Sequence, residues 1–217
     1  MSDEETTRIL LVDDHPMMRR GLRDLLALED DLQPVGEAGS GPEALLLAAQ
    51  EEPDLILMDL NMPGMDGLET VRQLRDAGCD ARIVMFTVSD DHAHVLEALR
   101  EGADGYLLKD MDADQLVDEI RKAAHGQMAL SAELTRVLAQ AIRERPAKGQ
   151  QNAAASLTKR EKDVLKLIAK GQSNKMIGRK LDITEGTVKV HVKRVLNKLG
   201  MRSRTEAAVW VVENQLN

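Results

Sequence analysis

The sequence predicts an α/β domain built on a doubly wound parallel sheet, followed by a smaller all-α domain. Short apolar runs alternate with helical patterns five times within about 125 residues, which is typical of a parallel sheet covered by helices on both faces. The charge balance then changes sign. Residues 1–155 carry 15 Lys and Arg against 31 Asp and Glu, whereas residues 156–217 carry 14 against 6. We therefore expect two domains with different partners, and a basic domain favours nucleic acid.

The composition is that of a soluble globular protein, with 43% hydrophobic and 30% charged residues. The chain has one Phe, one Tyr and one Trp, so its cores must be aliphatic. No apolar run approaches the roughly 20 residues of a membrane span. The acidic residues 1–5 lack the apolar segment of a signal peptide. The single Cys79 excludes an intrachain disulfide and fits a reducing compartment. We expect a cytoplasmic protein without a membrane partner.

The predicted strand–helix units follow one another directly along the chain. The helices are expected to begin near Pro16, Gly41, Gly67, Asp91 and Asp112, and Ser40 with Glu43 is predicted to form a capping box at the second helix. Apolar runs predict the strands at 8–12, 33–38, 54–59, 82–87 and 106–108. In the flavodoxin-like strand order 2-1-3-4-5, the first and third strands are neighbours.

Polar residues stand where several of these strands end. Asp13 and Asp14 follow the first strand, and Asp59 ends the third. Carboxyl ends of parallel strands share one edge of the sheet, so these three carboxylates should crowd one crevice. Such crowding is unfavourable unless one group is protonated or a cation binds, and oxygen ligands suit Mg²⁺. Thr87 and Lys109 end the fourth and fifth strands on the same rim.

This set of residues is suited to phosphoryl transfer onto a carboxylate. Asp59 is predicted to be the nucleophile, forming an aspartyl phosphate by in-line displacement. Asp14 should bind Mg²⁺ directly, with the help of Asp13. Lys109 would contact one phosphate oxygen, and the Thr87 hydroxyl could donate a hydrogen bond to another.

These residues resemble the receiver domain of bacterial response regulators. The resemblance implies phosphotransfer from a sensor histidine kinase, dependence on Mg²⁺ and slow self-dephosphorylation. It also implies a metal contact from the backbone carbonyl of Asn61 and coupling of Tyr106 to the moving Thr87. The chain departs from the common pattern with Asp110 in place of Pro and with a bulky Val88. We expect the nearby His15 to orient the acidic pair, and assign no chemistry to His92 or His94.

The domain boundaries follow from breaks in regular structure. We assign residues 1–127 to the receiver and 156–217 to the second domain. Residues 128–155 should form a linker helix, from about Ser131 to Arg145, and then a flexible tether.

The second domain is predicted to contain four helices. Thr158 and Glu161 form a capping box for the first, and Ser173 or Asn174 caps the second. Thr184 caps a third helix that ends at Gly200, and the fourth covers about 204–214. Two helices joined by a short turn, the second of them basic, match a helix-turn-helix.

The third helix has one apolar and one basic sector when its residues are placed at 100° intervals. The apolar stripe should face the core; its members are Val188, Val192, Val195 and Leu199. Lys189, Val190 and Lys193 lie on the exposed side and are predicted to contact base edges in a major groove. Candidate phosphate contacts are Thr187, Lys198, Arg202 and Arg204. The remaining cations Lys175, Arg179 and Lys180 could contact phosphates or only solvent.

The strings 157–161, 174–177 and 183–191 resemble the LuxR/FixJ-type helix-turn-helix, so the chain is similar to the NarL/FixJ family of response regulators. The resemblance implies a recognition helix hidden against the receiver. Phosphorylation at Asp59 would release the helix, and the protein would dimerise through its last helix on paired half-sites of promoter DNA, with RNA polymerase a possible further partner. Other strings resemble the family's nitrate/nitrite regulators, and a different signal and regulon is the alternative.

Two further functions compete with this hypothesis. An aspartyl phosphatase would need a second Asp two residues after the nucleophile, where this chain has Asn61. An RNA-binding antiterminator could also carry a receiver, and it would prefer single-stranded RNA to duplex DNA.

Overall fold

The fold is taken from a computed structural model that describes residues 6–89, 91–125 and 156–213. The predicted strand–helix units of the first domain are confirmed, in the order β1 (Thr7–Val12), α1 (Pro16–Leu26), β2 (Leu32–Ala38), α2 (Gly41–Glu51), β3 (Leu55–Met58), α3 (Gly67–Asp76), β4 (Arg82–Thr87), α4 (His92–Glu101), β5 (Gly105–Leu108) and α5 (Ala113–Ala124). The predicted linker helix and tether at 128–155 lie outside the described residues.

The sheet is parallel with the order β2-β1-β3-β4-β5, as predicted. Its strands are apolar because both faces are covered by helices. Side chains of β1 alternate between the two faces. Ile9 and Leu11 pack in a cluster with residues of α1 and α5, whereas Leu10 and Val12 pack in a cluster with residues of α2, α3 and α4. This alternation fixes the register, which pairs Val12 with Met58 and so brings the ends of β1 and β3 together.

The predicted capping box at α2 is wrong. Ser40 makes no side-chain hydrogen bond to the helix, although its backbone has the extended conformation of an N-cap. The Glu43 carboxylate instead accepts the Gly39 amide at 2.7 Å, one residue before the predicted position. Pro42 in the first turn and the acidic Glu43 still favour a helix that starts here.

The second domain contains α6 (Lys159–Ala169), α7 (Asn174–Leu181), α8 (Glu185–Leu199) and α9 (Arg204–Glu213). The capping box of Thr158 and Glu161 is confirmed, and Ser173 rather than Asn174 caps α7. Thr184 caps α8, which ends at Gly200 in the left-handed conformation. The helix-turn-helix therefore consists of α7 and α8, with Asp182–Thr184 between them.

The two domains share one hydrophobic cluster. Leu165, Met201 and Trp210 belong to the same cluster of buried residues as the α2–α4 face of the receiver sheet. Helix α9 contacts both α6 and α4. It is apolar on most sides because it lies between these two neighbours. Among the described residues, no helix has the length and apolar character required to span a bilayer.

Candidate functional site

The three predicted acids meet at the carboxyl end of the sheet. Asp13 and Asp59 follow β1 and β3, and the Asp59 amide donates to the Val12 carbonyl at 2.8 Å. One ligand atom from each of Asp13, Asp14, His15 and Asp59 can be chosen so that all lie within 4.8 Å of one another. Asp13 and Asp59 are buried, with 2% and 4% of their surface exposed. The predicted clustering of these carboxylates in one crevice is thus confirmed.

Lys109 crosses from β5 to the two buried acids. Its Nζ lies 2.6 Å from Asp13 Oδ2 and 3.0 Å from Asp59 Oδ2. Its side chain is only 8% exposed, and its Nζ is 5.8 Å from the centroid of the Phe86 ring. One ammonium therefore serves two carboxylates, and the crevice keeps an excess of negative charge.

Burial raises the pKa of the Asp59 carboxyl above its ordinary value, and the neighbouring Asp13 adds to the increase. Hydrogen bonding and attraction from Lys109 oppose the increase, as does the Leu60 amide, which donates to Asp59 Oδ1 at 2.8 Å. Asp59 thus combines burial with a specific cationic partner, which is typical of a reactive group.

The donor set fits a hard divalent cation. Asp14 Oδ1 is buried and has no hydrogen-bond partner among the described residues, although it lies 2.7 Å from His15 Nδ1. A cation at this point would satisfy that oxygen, and carboxylates are the protein ligands of Mg²⁺. His15 is exposed, and its amide donates to Asp13 Oδ1 at 2.7 Å, which agrees with an orienting role. Asn61 lies on the exposed start of the loop after β3.

Thr87 is connected to helix α4 by a chain of hydrogen bonds. The fully buried Thr87 accepts the Ser89 amide at 3.3 Å through Oγ1. Tyr106 donates its hydroxyl hydrogen to the Ser89 carbonyl at 2.8 Å, and Ser89 Oγ lies 2.9 Å from His94 Nδ1. The sequence placed Thr87 and Tyr106 correctly but gave no role to Ser89 or His94. A helical His with one polar contact has no distinguishing sequence pattern.

Gly67 holds the loop that follows Asp59. A Cβ at this residue would overlap the Asp59 carbonyl oxygen, and the Gly67 amide donates to the Leu60 carbonyl at 2.8 Å. The loop with its Pro and Gly residues was noted from the sequence, but this close approach was not.

The two sectors of α8 are as predicted. Its core residues are buried, namely Val188, Val192, Val195 and Leu199. Lys189 and Lys193 are exposed, and Val190 keeps 49% of its surface exposed. Thr187 is exposed as well, and its hydroxyl lies 2.8 Å from that of Thr184. An apolar side chain between exposed lysines matches a surface that meets base edges.

The remaining candidate phosphate contacts are bound within the protein. Lys198 Nζ lies 2.7 Å from the Glu161 carboxylate. Arg202 pairs with Glu101 of the receiver at 3.0 Å. Arg204 is half-buried and donates to the Gln172 carbonyl and to Asn174 Oδ1. Each of these three cations has a local or interdomain partner in this structure, and their contact with DNA phosphates stays a prediction.

Part of the exposed face of α8 lies beside the receiver. A Cβ built on Gly78, in the loop before β4, would be 2.7 Å from Lys193 Nζ. The Asp80 carboxylate in the same loop is attracted by Lys189 and Lys193. Farther along the interface, the buried Thr205 hydroxyl donates to the Asp104 carbonyl at 2.9 Å. Residues of both domains line a cleft of about 170 Å³ at this contact.

Two family models match the chain. Residues 9–121 match the response regulator receiver domain, and residues 155–211 match the bacterial regulatory proteins of the luxR family. The chain therefore belongs to the NarL/FixJ family of two-component response regulators, in which a receiver is joined to a LuxR-type DNA-binding domain.

Sequence comparison with individual members shows which proteins of this family the chain is similar to. The chain is 51% identical to the nitrate/nitrite response regulator protein NarL of Escherichia coli K12 over 216 residues, which is 100% of both chains. It is 43% identical to NarP of the same strain, with 99% of each chain covered. Among solved structures it is similar to the response regulator ChrA of a heme-sensing two-component system, with a TM-score of 0.51, 33% identity and coverage of 98% and 99%.

Proposed function

We propose that this protein is a phosphorylation-switched transcription regulator, in which modification of Asp59 by a sensor histidine kinase frees α8 for promoter DNA. The observation that carries the proposal is the placement of Lys193 and Lys189 beside the receiver loop with Gly78 and Asp80. The residues best suited to DNA thus lie beside a receiver loop that carries the acidic residue Asp80.

Asp59 accepts the phosphoryl group. One of its carboxylate oxygens attacks phosphorus in line, forming the aspartyl P–O bond as the bond from phosphorus to the kinase histidine nitrogen breaks. Asp13, Asp14, Asp59 and the Asn61 carbonyl would hold Mg²⁺, which when bound supplies charge neutralisation for the transferring group. Lys109 binds a phosphoryl oxygen as a point charge, and its 3.0 Å contact with Asp59 Oδ2 supports this role.

Thr87 and its neighbours transmit the modification. A phosphoryl oxygen on Asp59 offers the Thr87 hydroxyl a stronger, charged acceptor. Movement of Thr87 breaks its contact with the Ser89 amide and so disturbs both Tyr106 and His94. Because His94 belongs to α4, the disturbance reaches the helix that ends at Glu101, the partner of Arg202.

Release of the second domain exposes the DNA-binding face. Lys189, Val190 and Lys193 then read base edges, and the candidate phosphate contacts are Thr187, Lys198, Arg202 and Arg204. Opening the interdomain contacts frees Arg202 from Glu101, whereas Lys198 and Arg204 would exchange partners within their own domain for DNA phosphates. Two protomers dimerise through the last helix to occupy paired half-sites, and RNA polymerase is a further candidate partner. The protein acts in the cytoplasm, where it can reach both the sensor kinase and the promoter DNA.

The most specific part of the proposal is the environmental signal to which the regulator responds. NarL and NarP of Escherichia coli are named for the nitrate/nitrite response. By likeness to them we assign this chain to control of anaerobic respiration genes in response to nitrate or nitrite. The alternative is the same mechanism with a different signal and regulon.

The test is duplex-DNA affinity of the full chain with and without acetyl phosphate or beryllofluoride plus Mg²⁺. We expect wild type to bind more tightly when activated, Asp59→Ala to show no change, and Asp110→Ala, which removes an exposed carboxylate beside Lys109, to respond as wild type. Equal affinity with and without activation would refute the switch. Preference for single-stranded RNA would favour an antiterminator, and turnover of a general phosphoester would favour a phosphatase.

A further inference from the structure

The cleft between the domains has walls from both. The receiver contributes the end of α3 and the loop before β4, including Arg75 and Asp80. The second domain contributes Asn174, Lys193 and Arg204. The site therefore exists only while the domains are docked.

Four cations line the cleft against three acids, Asp76, Asp80 and Asp104. Asp104 is neutralised by Arg75, whose Nη2 lies 2.6 Å from its Oδ2. Arg202 is paired with Glu101 at 3.0 Å, and Asp76 is 3.9 Å away. Lys193 and Arg204 have no carboxylate within 4.0 Å in the described part of the chain. They lie near two exposed acids of the lining, Asp76 and Asp80.

A second buried cation lies behind Arg204. Arg82, at the start of β4, is 7% exposed, and its Nη2 has no hydrogen-bond partner among the described residues. Burial lowers the pKa of Arg204 to about 9, and repulsion from Arg82 contributes. Asp80 and Asp104 attract Arg204, and Asp104 also attracts Arg82, but the Arg82 Nη2 atom keeps no hydrogen-bond partner among the described residues, so this region gains from an anion.

Two helix N-termini border the cleft. Asn174 is the first residue of α7, and Arg204 is the first residue of α9. Their amide ends add positive potential to that of the side chains. The cleft, with a volume of about 170 Å³, has room for a small ion.

We propose that this cleft binds a small tetrahedral oxyanion dianion, of the inorganic phosphate or sulfate type, between Arg204 and Lys193. Because both domains supply ligands, the bound ion stabilises the docked form and opposes exposure of α8. The ion also occupies Lys193, a residue that DNA requires. The site lies at the amino end of the sheet, whereas Asp59 lies at the carboxyl end.

The test is thermal unfolding of the full, unphosphorylated chain in EDTA, followed by fluorescence of its single Trp210, which is 2% exposed. Phosphate and sulfate are titrated in separate series at constant ionic strength set with chloride. A saturable rise of about 2–4 °C beyond the chloride control is expected for a ligand that binds only the docked state. If the unfolding temperature rises more with phosphate than with sulfate, or the reverse, the ion with the larger effect is the preferred ligand.

Variants assign the effect to the cleft. Arg204→Gln should lose the rise, and Lys193→Gln, which changes an exposed residue, should reduce it if Arg204→Gln fails to fold. Arg179→Gln, an exposed cation of α7 outside the cleft, and Asp59→Asn should respond as wild type. The inference is overturned if chloride acts equally, if Arg204→Gln and Lys193→Gln respond as wild type, or if Asp59→Asn abolishes the response. Neither DNA nor phosphorylation enters the assay, so its failure leaves the proposed switch untouched.

Discussion

The two ends of the receiver sheet carry opposite excesses of charge. At the carboxyl end, Asp13 and Asp59 share Lys109, and Asp14 lies beside them. At the amino end, the loops before β4 and β5 meet the second domain, and cations slightly outnumber acids there; they are Arg75, Arg82, Lys193, Arg202 and Arg204 against Asp76, Asp80, Glu101 and Asp104. One end therefore has the acidic donor set that we propose receives a metal and a phosphoryl group, and the other is built around a contact within the chain.

This difference suggests how a modification at the acid pocket can affect the interdomain contact at the opposite end of the sheet. Each end holds buried charges that are paired with a partner from another element, so a change of charge at either end alters a tertiary contact. The chain of contacts through Ser89 and His94 joins the acid pocket to α4, and α4 ends at the interdomain pair of Glu101 and Arg202. Disturbing either end tests whether the two are coupled.

The largest expected effect comes from Lys109→Gln. This change leaves Asp13 and Asp59 buried without their shared cation, which should lower the free energy of unfolding by about 3 kcal/mol. Urea denaturation in EDTA and in Mg²⁺ measures the effect. Mg²⁺ should restore part of the loss, since a bound cation replaces the missing charge. Lys122→Gln, which breaks only the exposed pair with Glu119, should be near neutral. An equal loss with and without Mg²⁺ would contradict the metal assignment.

Asp59→Asn should act in the opposite direction and stabilise the metal-free protein, by an amount on the order of 1 kcal/mol. Burial raises the folded-state pKa of Asp59 above 3.8, so folding favours its protonated form. Stability of the wild type therefore falls as pH rises from about 3.8 through the raised pKa. The gain from Asn should appear above this window and vanish below it. Denaturation between pH 3 and pH 7 in EDTA measures it, and a gain independent of pH would contradict the cause.

The sequence was sufficient to predict the acid pocket, because buried strands are short apolar runs and the residue after each must lie at one edge of the sheet. Asp13, Asp59, Thr87 and Lys109 were found in this way. The same logic did not reach Ser89 and His94, whose contacts depend on how one loop bends toward α4. It also misplaced the cap of α2, where Glu43 binds the amide of Gly39 rather than that of Ser40.

The interdomain contact could not be read from local patterns. Arg202 and Arg204 were predicted from the sequence to contact DNA phosphates, as basic residues that follow the recognition helix. Their partners are Glu101 in the receiver and the Gln172 carbonyl across the helix-turn-helix, and pairings of that kind are set by tertiary packing. The family resemblance implied a hidden recognition helix, but the acids and cations involved were visible only in three dimensions.

At the amino end, Thr205→Val should weaken domain docking. The change keeps the side-chain shape but removes the hydroxyl that donates to the Asp104 carbonyl, at a cost of about 1 kcal/mol. The open fraction, and with it the DNA affinity of the unphosphorylated chain, should rise about fivefold. Thr205→Ser keeps the hydroxyl and should bind as wild type. If Thr205→Val gains no affinity, docking does not limit access to DNA.

The smallest effect is expected from Glu101→Gln, which breaks the exposed pair with Arg202 but leaves that arginine available to DNA. The two side chains are 31% and 42% exposed, so solvent and salt screen their attraction. The pair should contribute no more than about 0.5 kcal/mol, equal to about a twofold rise in affinity for DNA without phosphorylation. Affinities of variant and wild type, measured side by side at low and high salt, should converge as salt rises. A tenfold rise would make this pair, rather than the buried Thr205 contact, the main restraint on opening. The exposed rim of the interface would then matter more than its buried centre.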